Sequence, residues 1–284
     1  MRPRIVVASE AGACYGVERA LELVREAARG SEGPLYTLGP LIHNPQVVAS
    51  LEEDGVGVVE DPGQAAGATL VLRTHGVTPA TERAAREAGA AVIDATCPYV
   101  KKAHLAAERL SEEGYQVVIV GEKGHPEVEG TLGHAPGALV VADAAELDGA
   151  RVGRRVGVVV QTTQTRACLR AVVDRLLDLA EEVRVVNTIC DATTERQRAA
   201  AKLALEADVV IVIGGRISAN TTHLAEICSE RCPATHHIET PEELEAGWFE
   251  GASLVGVTAG ASTPHEQIEA VASAIARLCD GVGE

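Results

Sequence analysis

The stretch TLVLRTHGVTPATERAAREAGAAVIDATC (69–97) carries the reading that decides the fold. It opens with a short β-branched apolar run that ends near His75 at a glycine-marked turn. The Ala/Glu/Arg-rich segment ERAAREAG (82–89) follows with helical composition, and a second apolar run, AVIDATC (91–97), closes on Cys97. Strand-like runs alternating with helical stretches are the signature of parallel α/β architecture.

Working outward, the apolar runs fall into sets of four. The first set is LYTLGPLIHNP (35–45), VGVVED (56–61), TLVLRTHG (69–76) and AVIDATC. The second is VVIVGEKGHPE (117–127), ALVVADAAEL (138–147), VGVVVQTT (156–163) and VRVVNTIC (183–190). The third has DVVIVIGGRISAN (208–220), THHIETPEEL (235–244) and LVGVTAGAS (254–262), and its fourth member is supplied by IVVASEAGAC (5–14) from the other end of the chain. The expectation is an α/β protein of three similar parallel-sheet units in a ring. They span 14–97, 98–189 and 190–284, the last completed by the N-terminal strand within 1–13. Ligands of parallel α/β sheets bind beyond the carboxyl ends of the strands. Residues that follow the strands are therefore expected to converge on one central cavity.

Bulk properties narrow the class. The chain has 284 residues, 46% hydrophobic and 23% charged, with only 2% aromatic, so its core is aliphatic. A net charge of −16 argues against nucleic acid or an anionic membrane as the main partner. No charged-then-apolar leader and no apolar run long enough to span a bilayer is present, and the chain reads as cytoplasmic. Seven scattered cysteines do not resemble a secreted disulfide framework.

Cys14, Cys97 and Cys190 each close a strand-like run, 83 and 93 residues apart. A lone cysteine is more often a small buried hydrophobe. Three at corresponding repeat positions instead suggest a cradle for a soft metal centre. An iron–sulfur cluster normally takes four cysteines, so three would leave one iron open to substrate. Cys168, Cys228, Cys232 and Cys279 lack this placement. Cys228 and Cys232, four residues apart, read as helix residues rather than as a chelate.

In GHPEVEGT (124–131), His125 and a carboxylate two residues on can place a donor and an acid in one pocket. Glu127, nearer the strand end, is favoured over Glu129. His43, His75 and His125 precede turn-forming residues in analogous loops and suggest an anion site, since imidazole N–H groups bond phosphate-type oxygens. The third unit offers Ser218, Asn220 and Ser262 in the same places, and Thr162 also follows a strand. No GK[ST] phosphate loop and no G-x-G-x-x-G after the first strand is present.

These residues carry a resemblance. GACYGVERA (12–20), GPLIHNPQVV (39–48), RTHGV (73–77), DATCPYVKKAH (94–104), GHPEVEGT, QTTQT (161–165), NTICDAT (187–193), SAN (218–220) and AGASTP (259–264) resemble the 4-hydroxy-3-methylbut-2-enyl diphosphate reductase family over nearly the whole chain. The resemblance implies a pseudo-threefold trefoil around a 4Fe–4S cluster held by Cys14, Cys97 and Cys190. It implies diphosphate contacts from His43, His75, His125, Ser218, Asn220 and Ser262, with Ala219 between the Ser and the Asn. It also implies a proton-delivering Glu127 and a substrate-contacting Thr162. Departures from the family pattern fall at Ala13, Tyr15, Ala219 and His265, and none removes a group the chemistry needs.

The function so implied is reductive dehydroxylation of an allylic diphosphate in the methylerythritol phosphate route. Its products would be isopentenyl and dimethylallyl diphosphate, with electrons from ferredoxin or flavodoxin. Two rivals stand beside it. A non-catalytic iron–sulfur redox sensor would need the cysteines but not the converging histidines, carboxylate and Ser/Asn pair. A related reductase or dehydratase of another diphosphate would use the same residues.

Overall fold

The computed structural model describes residues 3–30 and 33–281. In chain order the strands are β1 (Arg4–Val7), β2 (Leu35–Leu38), β3 (Val56–Val59), β4 (Thr69–Leu72), β5 (Ala91–Asp94) and β6 (Gln116–Val120). There follow β7 (Leu139–Val141), β8 (Arg155–Val160), β9 (Glu182–Val185), β10 (Val209–Ile213), β11 (Thr235–Ile238) and β12 (Leu254–Ala259). The helices are α1 (Tyr15–Gly30), α2 (Pro45–Glu53), α3 (Pro79–Glu87), α4 (Pro98–Glu112) and α5 (Pro126–His134). They continue with α6 (Arg166–Leu179), α7 (Asp191–Ala204), α8 (Ala219–Ser229) and α9 (His265–Gly281).

Each apolar run read from the sequence carries one strand, with β1, β6, β8 and β9 starting one residue earlier, and the strands form three four-stranded parallel sheets. Their orders are β3-β2-β4-β5, β7-β6-β8-β9 and β1-β12-β10-β11. Read as members of a set, the first two sheets run second, first, third, fourth. Taken from β11, the last sheet runs the same way, with β1 in the fourth place. Arg4 to Val7 pair in parallel with Leu254 to Val257, so the N-terminal strand completes the third sheet as its apolar pattern predicts.

The chain divides into two compact units, one of Met1–Tyr15, His43–Pro45 and Asp191–Glu284, the other of Gly16–Ile42 and Gln46–Cys190. The first unit contains the sheet of β10, β11, β12 and β1; the second contains the other two sheets. Residues 1–2 and 282–284, the outer ends of the third repeat, lie outside the described residues.

Both faces of these sheets are covered, as parallel sheets require. In β10 the alternate residues Val209, Ile211 and Ile213 join one aliphatic core with Val255, Val257 and Ile268. Val210 and Val212 face the opposite way, onto Ala200, Ala204, Leu224, Cys228 and Cys232. Cys228 and Cys232 are thus core residues, and burial pushes the Cys228 thiol up to about 11. Two helices that follow cysteines pack alike. Leu110 and Leu203 each lie thirteen residues past a cysteine, Cys97 and Cys190. Each meets a glycine in the third strand of a sheet: an added Cβ would lie 2.9 Å from Leu110 at Gly157 and 2.8 Å from Leu203 at Gly256.

Gly157→Val should therefore destabilise the protein by about 1–3 kcal/mol through overpacking. Adding Leu110→Ala should recover part of that loss, because the two side chains compete for one space. Denaturant unfolding of the two single variants and the double variant measures the coupling.

Candidate active site

The three cysteines expected as ligands occupy one topological position. Each follows the fourth strand of its sheet, and its backbone N–H donates to the second residue beyond the neighbouring third strand. Cys97 donates to the carbonyl of Thr74 at 3.0 Å, Cys190 to Thr162 at 3.2 Å and Cys14 to Ala261 at 3.1 Å. All three are half-buried and none is in a disulfide.

The remaining candidates repeat in the same way. His43, His125 and Ser218 each stand five residues beyond the first strand of their set. Glu127 and Asn220 both stand seven residues beyond it. His75, Thr163 and Ser262 stand three residues beyond the third strand. Few positions per repeat supply the whole set, and the side chain at each position differs between repeats.

In the unit spanning Gly16–Ile42 and Gln46–Cys190, Glu127 is only 2% exposed. Its Oε1 accepts from the Thr162 backbone N–H at 2.6 Å, and its Oε2 accepts from the Thr162 hydroxyl at 2.8 Å. Both bonds favour the carboxylate, but burial outweighs them and pushes the carboxyl up to about 7. Thr162 thus has two roles: its carbonyl anchors the N–H of Cys190, while its N–H and hydroxyl hold Glu127. His125 caps α5, its Nδ1 accepting from the Glu127 N–H at 3.1 Å. In the neutral ring that leaves the proton on Nε2, where it can be donated away from the helix. The rings of His75 and His125 meet edge to face, with centroids 5.6 Å apart. Glu129 is exposed and accepts from the Gly124 N–H, a structural role that leaves Glu127 as the buried acid.

In the other unit, Ser218 caps α8 by accepting from the Thr221 N–H at 3.4 Å, which frees its O–H to donate outward. Ala219, next to it in the first turn, is buried. Asn220 is 4% exposed, and neither its amide nitrogen nor its amide oxygen has a protein partner. A buried, unsatisfied amide at a helix N-terminus calls for a ligand that can meet it. The Ser262 hydroxyl donates to the His43 carbonyl at 3.1 Å, and the Asn44 amide donates to the Ser262 carbonyl at 2.9 Å. His265 is exposed beside Glu269, 3.2 Å away, and Tyr15 is exposed as well.

Thiols suit the soft iron of an iron–sulfur centre, and Cys14, Cys97 and Cys190 share one backbone hydrogen-bond pattern at the ends of matching strands. Among the described residues, no three His, Cys, Asp or Glu side chains form a site for a single metal ion. A cluster places its own atoms between its ligands, so its thiolates need not share one ion. Cys168 instead donates to the Ala142 carbonyl at 3.1 Å, and its thiol is raised by burial.

Sequence reading passed over Gln161, which is buried at the first position beyond β8. Its Oε1 accepts from the Glu122 N–H at 2.9 Å and its amide donates to Thr163 at 3.0 Å, tying the loop before Glu127 to the loop holding Thr162. The available signal was a polar residue placed directly after an apolar run.

Fold and side chains define a class: a three-sheet parallel α/β protein whose strand ends present thiols, imidazoles, hydroxyls and the buried acid Glu127. A family model described as LytB protein matches residues 5–276, and the chain belongs to that family. A protein of Aquifex aeolicus named 4-hydroxy-3-methylbut-2-enyl diphosphate reductase is 48% identical over 98% of this chain and 97% of its own length. One of the same name from Geobacter sulfurreducens is 51% identical over 94% and 95%. A solved structure of (E)-4-hydroxy-3-methyl-but-2-enyl diphosphate reductase, described as the terminal enzyme of the non-mevalonate pathway, matches with a TM-score of 0.71. It is 46% identical and covers 98% of this chain and all of that one. The structure of the Plasmodium falciparum E-1-hydroxy-2-methyl-but-2-enyl-4-diphosphate reductase matches with a TM-score of 0.90 at 28% identity, over 95% of this chain and 86% of that one.

The Glu127 environment has a thermodynamic signature. An ordinary glutamic acid titrates near 4.5, whereas the folded protein holds Glu127 at about 7. Between those values the folded state binds the extra proton, so stability contributed by the neutral carboxyl is full below pH 4.5 and lost as pH rises through 7. Glu127→Gln should flatten this part of the stability–pH curve, by on the order of 3 kcal/mol across the window. Unfolding midpoints taken at intervals between pH 5 and 8 provide the check.

Proposed function

We propose that this chain catalyses the reductive dehydroxylation of (E)-4-hydroxy-3-methylbut-2-enyl diphosphate. The reaction takes up two electrons and two protons and releases water with isopentenyl or dimethylallyl diphosphate. The buried Glu127–Thr162 pair carries this reading over the redox sensor, because a sensor needs no protonated carboxyl beside its ligand loops. The full-length similarity to reductases of that name favours this substrate over another diphosphate.

Cys14, Cys97 and Cys190 would hold the cluster, each contributed by one of the three repeats bounded near residues 97 and 190. A 4Fe–4S cluster held there would relay the two electrons one at a time from an external carrier and would offer an open iron as Lewis acid for the allylic hydroxyl. The protein's own residues do the rest. His43, His75, His125, Ser218, Asn220 and Ser262, with the backbone around Ala219, bind the diphosphate and so orient the far end of the substrate. Glu127, pushed to about 7, is about half in its acid form near pH 7; in that form the proton on the oxygen facing Thr162 is donated to the Thr162 hydroxyl oxygen. That proton can pass through the hydroxyl to the departing oxygen, while the second proton goes to the allylic carbon. Ferredoxin or flavodoxin would deliver the electrons, and the setting would be the cytoplasm. No helix among the described residues is long and apolar enough to cross a membrane.

Anaerobic turnover with this substrate and a chemical reductant tests the proposal; a cluster-loaded protein that leaves the substrate unchanged would favour the sensor. Serine at Cys14, Cys97 or Cys190 should abolish iron content, while serine at Cys168, Cys228 or Cys232 should leave it intact. Glu127→Gln should lower turnover by about 10²-fold or more, with binding retained, since only the proton is removed. Asn220→Ala should weaken diphosphate binding by about ten- to a hundredfold, the scale of a lost hydrogen bond to a charged acceptor. Titration calorimetry under argon measures that loss.

A further inference from the structure

Resting on the cluster reading above, we propose that Arg196 and Arg19 are positioning residues for two of the cysteine loops, Arg196 for Cys14 and Arg19 for Cys97. Arg196 lies on α7, six residues past Cys190, and is only 5% exposed. One of its terminal nitrogens donates to the Gly12 carbonyl at 2.7 Å and the other to the Ala192 carbonyl at 3.0 Å. Gly12 has φ +107°, and a Cβ added there would lie 3.0 Å from Ile268, so only glycine fits this backbone without strain. The carbonyl gripped by Arg196 thus begins the two-residue path to Cys14, whose own N–H is fixed by Ala261. Residues 12–14 are held at both ends.

Arg19 repeats the device on α1, five residues past Cys14. Its Nη1 donates to the Thr96 carbonyl at 3.4 Å. The same peptide group carries the Cys97 N–H, which donates to Thr74 at 3.0 Å. The peptide that leads into Cys97 is therefore gripped on its C=O by an arginine and on its N–H by the neighbouring strand end. In both cases an arginine placed shortly after one cysteine reaches the main chain just ahead of another. A long, always-charged, multi-donor side chain suits that task, and burying one is costly unless its donors are used. Positive charge beside ligand loops also favours the electron-loaded state of a bound cluster.

Hydrogen exchange on the cluster-loaded protein, resolved to the peptides holding Cys14 and Cys97, tests the assignment. Arg196→Met should speed exchange about tenfold at residues 12–14 and leave 96–97 unchanged, the scale of one charged hydrogen bond lost. Arg19→Met should do the reverse. Arg196→Met should also move the midpoint potential of the cluster to a more negative value, and Arg196→Lys, which keeps the charge and a donor, should restore both readouts. Equal acceleration of both peptides, or of neither, would overturn the proposal. Should Arg196→Met not fold, the half-exposed Arg19 decides it alone: faster exchange confined to 96–97 supports the assignment, and any other pattern removes it. Failure of the cluster reading would look different, since Cys14→Ser would then keep its iron whatever the exchange pattern.

Discussion

One hydrogen bond recurs in each of the three sheets: a cysteine N–H on the carbonyl two residues beyond the adjacent strand. The buried strand segments are mostly aliphatic, and the candidate site residues all lie beyond strand ends. There the main chain has left the ladder and needs new partners. The cysteine loop and the third-strand loop satisfy each other, and the residue following the anchoring carbonyl becomes His75, Thr163 or Ser262.

Thr162 is where this architectural bond meets acid–base chemistry. The same residue that anchors Cys190 gives its N–H and its hydroxyl to Glu127. Two donated hydrogen bonds would ordinarily hold a carboxyl well below neutrality. Burial reverses that outcome and raises the carboxyl to about 7, so that a large share of it keeps its proton at neutral pH. A group poised near 7 is the most effective proton donor at physiological pH. Gln161 keeps the two loops in register, so the pair behaves as one assembly rather than as two side chains that happen to be close.

A net charge of −16 is an awkward background for a diphosphate. Long-range attraction cannot supply the affinity. The donors assigned to that role are hydroxyls, an amide and imidazoles, several of them at helix N-termini, where the backbone dipole adds to them. Their effect is short-ranged and strongest out of water, which suits the buried, unsatisfied amide of Asn220.

The linear chain already contained the strand runs, their grouping in fours and the recruitment of the N-terminal run into the last sheet. These follow from period and apolar content, which local sequence expresses directly. The placing of Cys14, Cys97 and Cys190 at strand ends was equally legible. Cys228 and Cys232 read as helix residues facing core or solvent; the structure puts both in the core, with Cys232 beyond the end of α8. The choice of Glu127 over Glu129 rested on nearness to the strand end; the structure adds that Glu127 is buried and Glu129 exposed. Tertiary structure alone decided that Thr162 clasps that carboxyl, that Gln161 braces the loops, and that Arg196 and Arg19 reach the main chain ahead of cysteines far away in sequence. Such partners are set by distance in space and by loss of water. Neither quantity is written in the spacing of residues along a chain.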